Sequence, residues 1–331
     1  MSNTNRIEWV DVLKGVSIIW LIVYHFYVFS WMRSPVPVFF FLSGLFFSEG
    51  KSFMLFVGKK AKALLIPFVF FFVLGIAASA LKSFLQGDSY SFPPLWLFAT
   101  LIPADADNGS PLGVGAIWFL ISLFEIYIIY YVLRLVSQNR CWLLIAGLVL
   151  FFLSCSLLQR YAIGALFYIF YTFGYCIFFI VAHLMRDKIL YGRIPVWILI
   201  IAVILYSIRY IDVPNINYLD VQMGGGMIKW MVSMSGLVIL LIYICKKISS
   251  IGMLSELKSY RFLLFEGRNS LTILGIHLLV MSVASILLKH FISGGILYHA
   301  VLLTIVLIVC NICILLFNRY LPFLVNHKRD C

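Results

Sequence analysis

The chain has 331 residues, of which 63% are hydrophobic and only 11% charged. A soluble globule runs at about 45–50% apolar and 25% charged, so that class is excluded. The net charge of +12 does not point to nucleic acid, because the basic residues gather in short segments between apolar runs of helical-span length.

Spans are expected roughly at 10–30, 35–48, 63–82, 116–136, 142–158, 162–183, 194–211, 227–245, 270–289 and 296–317. The fold class is therefore all-α, a polytopic membrane helix bundle with about ten transmembrane helices. With the N-terminus inside, every Lys and Arg except Arg33, Lys82, Arg160, Arg209, Lys229 and Lys289 falls on the cytoplasmic side. That bias predicts both termini in the cytoplasm, and an odd number of spans would scramble it. The first apolar run ends in bulky aromatics, so it reads as a retained signal anchor of a multi-pass protein of the cell (inner or plasma) membrane. No segment divides residues 1–331, which read as one membrane domain. The seven cysteines predict no disulfide and no metal site: Cys310 and Cys313 have CxxC spacing but lie in an apolar helix with no His partner.

The first span, DVLKGVSIIWLIVYH, carries Asp11, Lys14 and His25 where an anchor needs no ionisable group. Lys14 and His25 are eleven residues apart, so a helix rotates one from the other by only about 20° and separates them by about 16 Å. Both belong to one face, with His25 expected near mid-span and Asp11 near the inner boundary, where it can pair with a basic neighbour. The second span, VFFFLSGLFF, contains Ser43-Gly44, a small pair that lets another backbone approach. Helix packing and a substrate contact are both open for Ser43.

The following inner loop, SEGKSFMLFVGKKAKALLIP, holds Lys59, Lys60 and Lys62. They serve either as topology signals or as a phosphate-binding patch at the cytoplasmic mouth. Residues 83–115 form the longest extramembrane stretch, with Asp88, Asp105, Asp107 and Trp96; sugar binding and a surface-lying segment both fit it. Glu125 lies within the fourth span, in IWFLISLFEIYIIYY. A carboxylate there costs about 2.5–3.5 kcal/mol on insertion scales, so it should face a partner or a cavity.

His183 is expected at an inner membrane boundary, and Gly224–Gly226 as a flexible turn without the flanks of a phosphate-binding loop. The last inner loop is basic, and Leu254 to Phe265 fits an amphipathic surface helix. It leads into EGRNSLTILGIHLL, which puts His277 inside the ninth span.

Four landmarks then stand in order: DVLKGVSIIWLIVYH, FFFLSGLFF, IWFLISLF and GRNSLTILGIH. Together they resemble acyltransferase family 3, the integral membrane acyltransferases, and in particular their sugar O-acetyltransferase branch. The first landmark matches that family's basic residue followed by His, with ten residues between. Where the family usually has Arg, this chain has Lys14, which keeps the charge without the planar bidentate fork. KKAKALLIP stands where the family has its next basic motif.

The resemblance implies transfer of an acetyl or other acyl group from acyl-CoA to a hydroxyl of a glycan or glycolipid. Acetyl-CoA would be the co-substrate, the lipid bilayer the setting, and no nucleic acid or metal would take part. A sugar hydroxyl is a poor nucleophile at neutral pH, and an imidazole with an ordinary pKa near 6.5 can take its proton. His25 is then the expected general base, with Lys14, Asp11, Glu125 and His277 as further catalytic candidates. Lys14, Ser43 and His277 are candidates for stabilising the oxyanion. Lys59, Lys60 and Lys62 would meet CoA phosphates, and Trp118, Asn269 and Ser270 are the remaining substrate-contact candidates from the landmarks. A transporter or flippase of a glycan intermediate is the competing class, as is an assembly subunit without turnover.

Overall fold

A computed structural model of the chain describes residues 7–26, 32–50, 52–86, 114–160, 169–208, 224–292 and 294–325. Among these residues there is no β-strand. The helices are α1 (Glu8–Tyr24), α2 (Val36–Leu45), α3 (Phe53–Gln86), α4 (Trp118–Val136), α5 (Arg140–Arg160), α6 (Ile169–Leu184), α7 (Arg186–Tyr191), α8 (Val196–Ser207), α9 (Gly224–Ser250), α10 (Gly252–Ser255), α11 (Lys258–Arg268), α12 (Ser270–Leu288), α13 (Gly295–Tyr320) and α14 (Pro322–Val325), with a 3₁₀ turn at Val114–Ala116.

Six of these helices among the described residues are long and apolar enough to cross a membrane: α3, α4, α5, α9, α12 and α13. The protein is a multi-pass, all-α membrane protein. Only helices satisfy every backbone group within one segment in hydrocarbon, which is why the apolar runs take this form. α2, α6 and α8 are apolar but shorter, and they occupy three other positions where the hydropathy pattern predicts spans.

Three local expectations are corrected. Lys59, Lys60 and Lys62 do not sit in a loop; α3 already begins at Phe53 and continues through Pro67 to Gln86. The stretch of Met, Leu, Phe, Lys and Ala consists mostly of good helix formers, and a proline inside a membrane helix is tolerated because neighbours re-satisfy the freed groups. At 34 residues, α3 is about 50 Å long, well beyond a hydrocarbon core of about 30 Å. Gly224–Gly226 is not a turn but the start of α9. His25 is not inside the helix but the residue that caps α1. The proposed sugar-binding residues Asp88, Trp96, Asp105 and Asp107 lie outside the described residues.

Contacts divide the chain into two units. The first (residues 1–48, 129–162 and 170–270) contains α1, α2, the end of α4 and α5–α11. Here α2 stacks Phe40 on Tyr175 of α6 at 4.5 Å between ring centroids. Gly44 of α2 is so close to the Phe179 backbone that a Cβ would collide with its carbonyl, which is the close approach expected of Ser43-Gly44. Trp230 of α9 packs edge-on against Tyr175 and Phe178. His183 lies among Phe47 and Tyr130, with centroids 5.2 Å and 5.4 Å away.

The second unit (residues 49–128, 163–169 and 271–331) contains α3, the start of α4, α12 from Leu271 onward, α13 and α14. Phe70 and Phe71 of α3 meet Phe317 of α13 at 5.6 Å and 6.4 Å. A Cβ on Gly275 of α12 would fall on the Phe71 ring, so this glycine is what lets the ring lie against α12.

Candidate active site

In the first unit the site is built on α1 and on the helix that crosses it. α1 packs on α2, α9 and, most extensively, α11. The last pairing has a local cause. A Cβ on Gly15 would collide with the Leu263 backbone, and a Cβ on Gly267 with the Asp11 carbonyl and the Gly15 nitrogen. Two glycines therefore let the backbones of α1 and α11 touch, the same device that small residues supply between membrane helices. α11 is amphipathic as expected, but it does more than lie on a surface: Tyr260, Glu266 and Gly267 are buried.

Polar bonds fasten the crossing. The Arg268 Nε lies 3.4 Å from Asp11 Oδ2, with Asp11 buried and Arg268 half exposed. Tyr260 donates its hydroxyl to Glu8 at 3.2 Å, and Ser249 Oγ lies 3.2 Å from the same oxygen. Burial holds the Tyr260 phenol above its ordinary pKa. Lys246 of α9 donates to the carbonyls of Ile189 and Gly192 at 2.6 Å and 2.8 Å, and its Nζ lies 5.4 Å from the Trp9 ring centroid. Asp11 is thus part of the clasp that seats α1, and the basic neighbour expected for it is Arg268.

The interval from Lys14 to His25 keeps helical register. α1 is unbroken to Tyr24, and the His25 N–H still bonds to the Leu21 carbonyl at 3.2 Å. The helix pitch therefore carries both residues to one face. His25 Nδ1 is 2.8 Å from the same Leu21 oxygen. A carbonyl only accepts, so Nδ1 carries the hydrogen and the neutral ring has its lone pair on Nε2. The imidazole does two things at once: it satisfies a carbonyl at a helix end, and it fixes which nitrogen is basic.

Ser43 donates to the Phe39 carbonyl at 2.8 Å. Asn269 is the C-cap of α11, and its side chain donates to the Phe265 carbonyl at 2.8 Å. Both bonds are local, and Ser270 follows as the first residue of α12.

In the second unit, His277 is fully buried in α12, with Nδ1 2.9 Å from the Ile273 carbonyl and 3.1 Å from that of Leu274. It too carries its hydrogen on Nδ1. Trp118 opens α4 and Glu125 lies in its interior, both half-buried. Lys59 and Lys62 are exposed on α3, whereas Lys60 is half-buried, with Nζ 3.7 Å from the Tyr127 ring centroid and 5.6 Å from that of Phe56. The three lysines are not equivalent: Lys60 is half-buried in cation–π contact, and the other two are exposed. Among the described residues no group of His, Cys, Asp and Glu is arranged to hold a metal ion.

A helical membrane chain with these landmarks has a counterpart among known families. The acyltransferase family 3 profile, described as an acyltransferase domain, matches residues 7–317. The chain belongs to acyltransferase family 3. It is a membrane acyltransferase, so it takes an acyl donor and an acceptor in the setting of a bilayer. No curated protein and no solved structure matches it.

One residue passed over in the sequence is Glu266, whose side chain has no exposed surface. The available signal was its neighbour Gly267, a glycine in the last turn of an amphipathic helix, which marks close backbone approach.

Proposed function

We propose that this acyltransferase moves an acetyl or other acyl group from acyl-CoA to a hydroxyl of a cell-surface glycan or lipid-linked sugar, with His25 as general base. The observation that carries this reading is the tautomer of His25, whose Nδ1 is held by Leu21 on the helix face that also bears Lys14. Nε2 takes the proton of the acceptor hydroxyl as its oxygen attacks the thioester carbonyl. The tetrahedral oxyanion collapses, the C–S bond breaks, and the imidazolium returns its proton to the departing thiolate. The products are an ester and free CoA.

Lys14 supplies the positive charge along the same face. Lys59 and Lys62, exposed on the stretch of α3 that is too long for the hydrocarbon core, attract the phosphates of the donor, and Lys60 belongs to that patch in its aromatic seat. Glu125 and His277 remain the further catalytic candidates, and Trp118 and Ser270 candidates for substrate contact. Ser43 and Asn269, whose polar groups are engaged locally, keep the helices that carry the site in register. The chain works as one domain over residues 1–331 in the inner or plasma membrane, with ten spans and both termini cytoplasmic. Lys14 then lies toward the side where CoA thioesters are made, and His25 deeper.

The experiment supplies labelled acetyl-CoA to membranes containing the protein and follows label into the glycan and glycolipid fractions. Label arriving in a sugar ester, absent when the protein is absent, is the expected result. Translocation of a glycan intermediate with no acylation would contradict the proposal.

A further inference from the structure

The crossing of α1 and α11 has a direction. Asp11 meets Gly267, while Gly15 meets Leu263; numbers rise along one helix as they fall along the other, so the two run antiparallel. On each helix the residue just before the contact glycine is turned away by about 100°. In an antiparallel pair those turns go to the same side. Lys14 precedes Gly15 and Glu266 precedes Gly267, so both flank one side of the crossing, at nearly the same level along α1.

Chemistry narrows the pairing further. Glu266 is fully buried, and a carboxylate removed from water requires a cation or several donors. Arg268 is two residues further along α11, and i,i+2 positions do not face each other; its guanidinium is already against Asp11. Lys246 is engaged with two backbone carbonyls. Lys14 is half-buried and remains on the correct flank.

We propose that Glu266 is a positioning residue for Lys14: its carboxylate lies beside the ammonium group at the α1–α11 crossing and holds it on the face that leads to His25. The consequence for catalysis rests on the function proposed above; the pairing itself does not. A lysine has a long flexible stem, and a buried partner fixes where its charge stands before substrate arrives, as preorganised electrostatic stabilisation requires.

The test has one arm free of activity. Thermal unfolding of the purified full-length protein is compared for wild type, Glu266→Gln, Lys14→Met and the double variant. Each single change strands the other charge, so each lowers the midpoint, and the double variant loses less than the sum of the two. Should Glu266→Gln alone fail to fold, recovery of folding in the double variant gives the same result. Additive losses, or failure of the double variant while Lys14→Met folds, overturn the pairing. In the second arm, Glu266→Gln lowers kcat for acetyl transfer at least about tenfold with KM for acetyl-CoA little changed, and Glu266→Asp restores part of it. Wild-type kcat in Glu266→Gln would refute the positioning role. If wild type itself transfers nothing, the functional reading fails while the unfolding arm still decides the pairing.

Discussion

Gly15 in α1 and Gly58 in α3 each lie next to a lysine in a helix, and their surroundings differ completely. A Cβ at Gly15 would strike the Leu263 backbone; a Cβ at Gly58 would meet nothing within 4 Å. The difference extends to the charged groups beside them. Around Gly15, Asp11 is buried against Arg268 and Glu266 is fully enclosed. Around Gly58, Lys59 and Lys62 are exposed and Lys60 is seated on Tyr127. Chemistry needs charges whose positions are fixed before the substrate arrives, whereas attraction of a polyanion needs only charge of the correct sign within about a Debye length. Under the function proposed here the first region would serve the former and the second the latter.

The largest expected effect comes from breaking the crossing itself. Gly267→Leu should destabilise the protein by about 3 kcal/mol or more, since the clash is with backbone that cannot rotate away. Gly58→Ala should be neutral or slightly stabilising, because alanine is the better helix former by up to about 1 kcal/mol. Unfolding midpoints of the two variants in the same detergent check this, and equal losses would erase the contrast.

Next in size is Lys14. Lys14→Ala should impair acyl transfer strongly while Lys14→Arg retains it, measured as kcat with protein level matched. Wild-type activity in Lys14→Ala would remove the paired face of α1 from the mechanism. A smaller effect is expected in the other region. Neutralising Lys59 and Lys62 together should raise KM for the acyl donor and weaken its dependence on salt, with kcat little changed. Adding Lys60→Gln should contribute less than either exposed lysine. A KM unchanged in the triple variant would leave these lysines as topology signals alone.

The smallest effect concerns Tyr260. Its pKa is raised in the folded protein, so the proton is bound more tightly there than in the unfolded chain. The corresponding stability is complete below the ordinary tyrosine pKa of about 10 and is lost as pH rises through the higher folded value. Unfolding followed across alkaline pH should show a larger loss in wild type than in Tyr260→Phe.

Much of the fold was legible in the sequence because hydrocarbon leaves few options. An apolar run of span length becomes a helix, and the landmarks on those runs sufficed to identify the family. The errors fell where composition and tertiary structure compete. Lys59, Lys60 and Lys62 read as a loop because charge was equated with the end of a span, yet lysine is a good helix former and α3 continues past the hydrocarbon. Gly224–Gly226 read as a turn because glycine is permissive, yet it opens α9. Glu266 could not be found by periodicity at all. Its burial follows from Gly15 and Gly267 meeting across 252 residues of chain, as far as Tyr260 is from Glu8. Asp11 was legible as a structural partner, and its cation, Arg268, was not.

The central claim is that Nε2 of His25 takes a proton while Nδ1 only holds the ring. His25→Asn separates the two, because its amide can still donate to the Leu21 carbonyl but cannot act as a base near neutral pH. Transfer of labelled acetyl from acetyl-CoA is measured in membranes with equal amounts of wild type and His25→Asn. A fall of about 10²–10⁴-fold in a protein that remains folded is the expected result. Transfer at the wild-type rate would contradict it and leave His25 as the cap of α1.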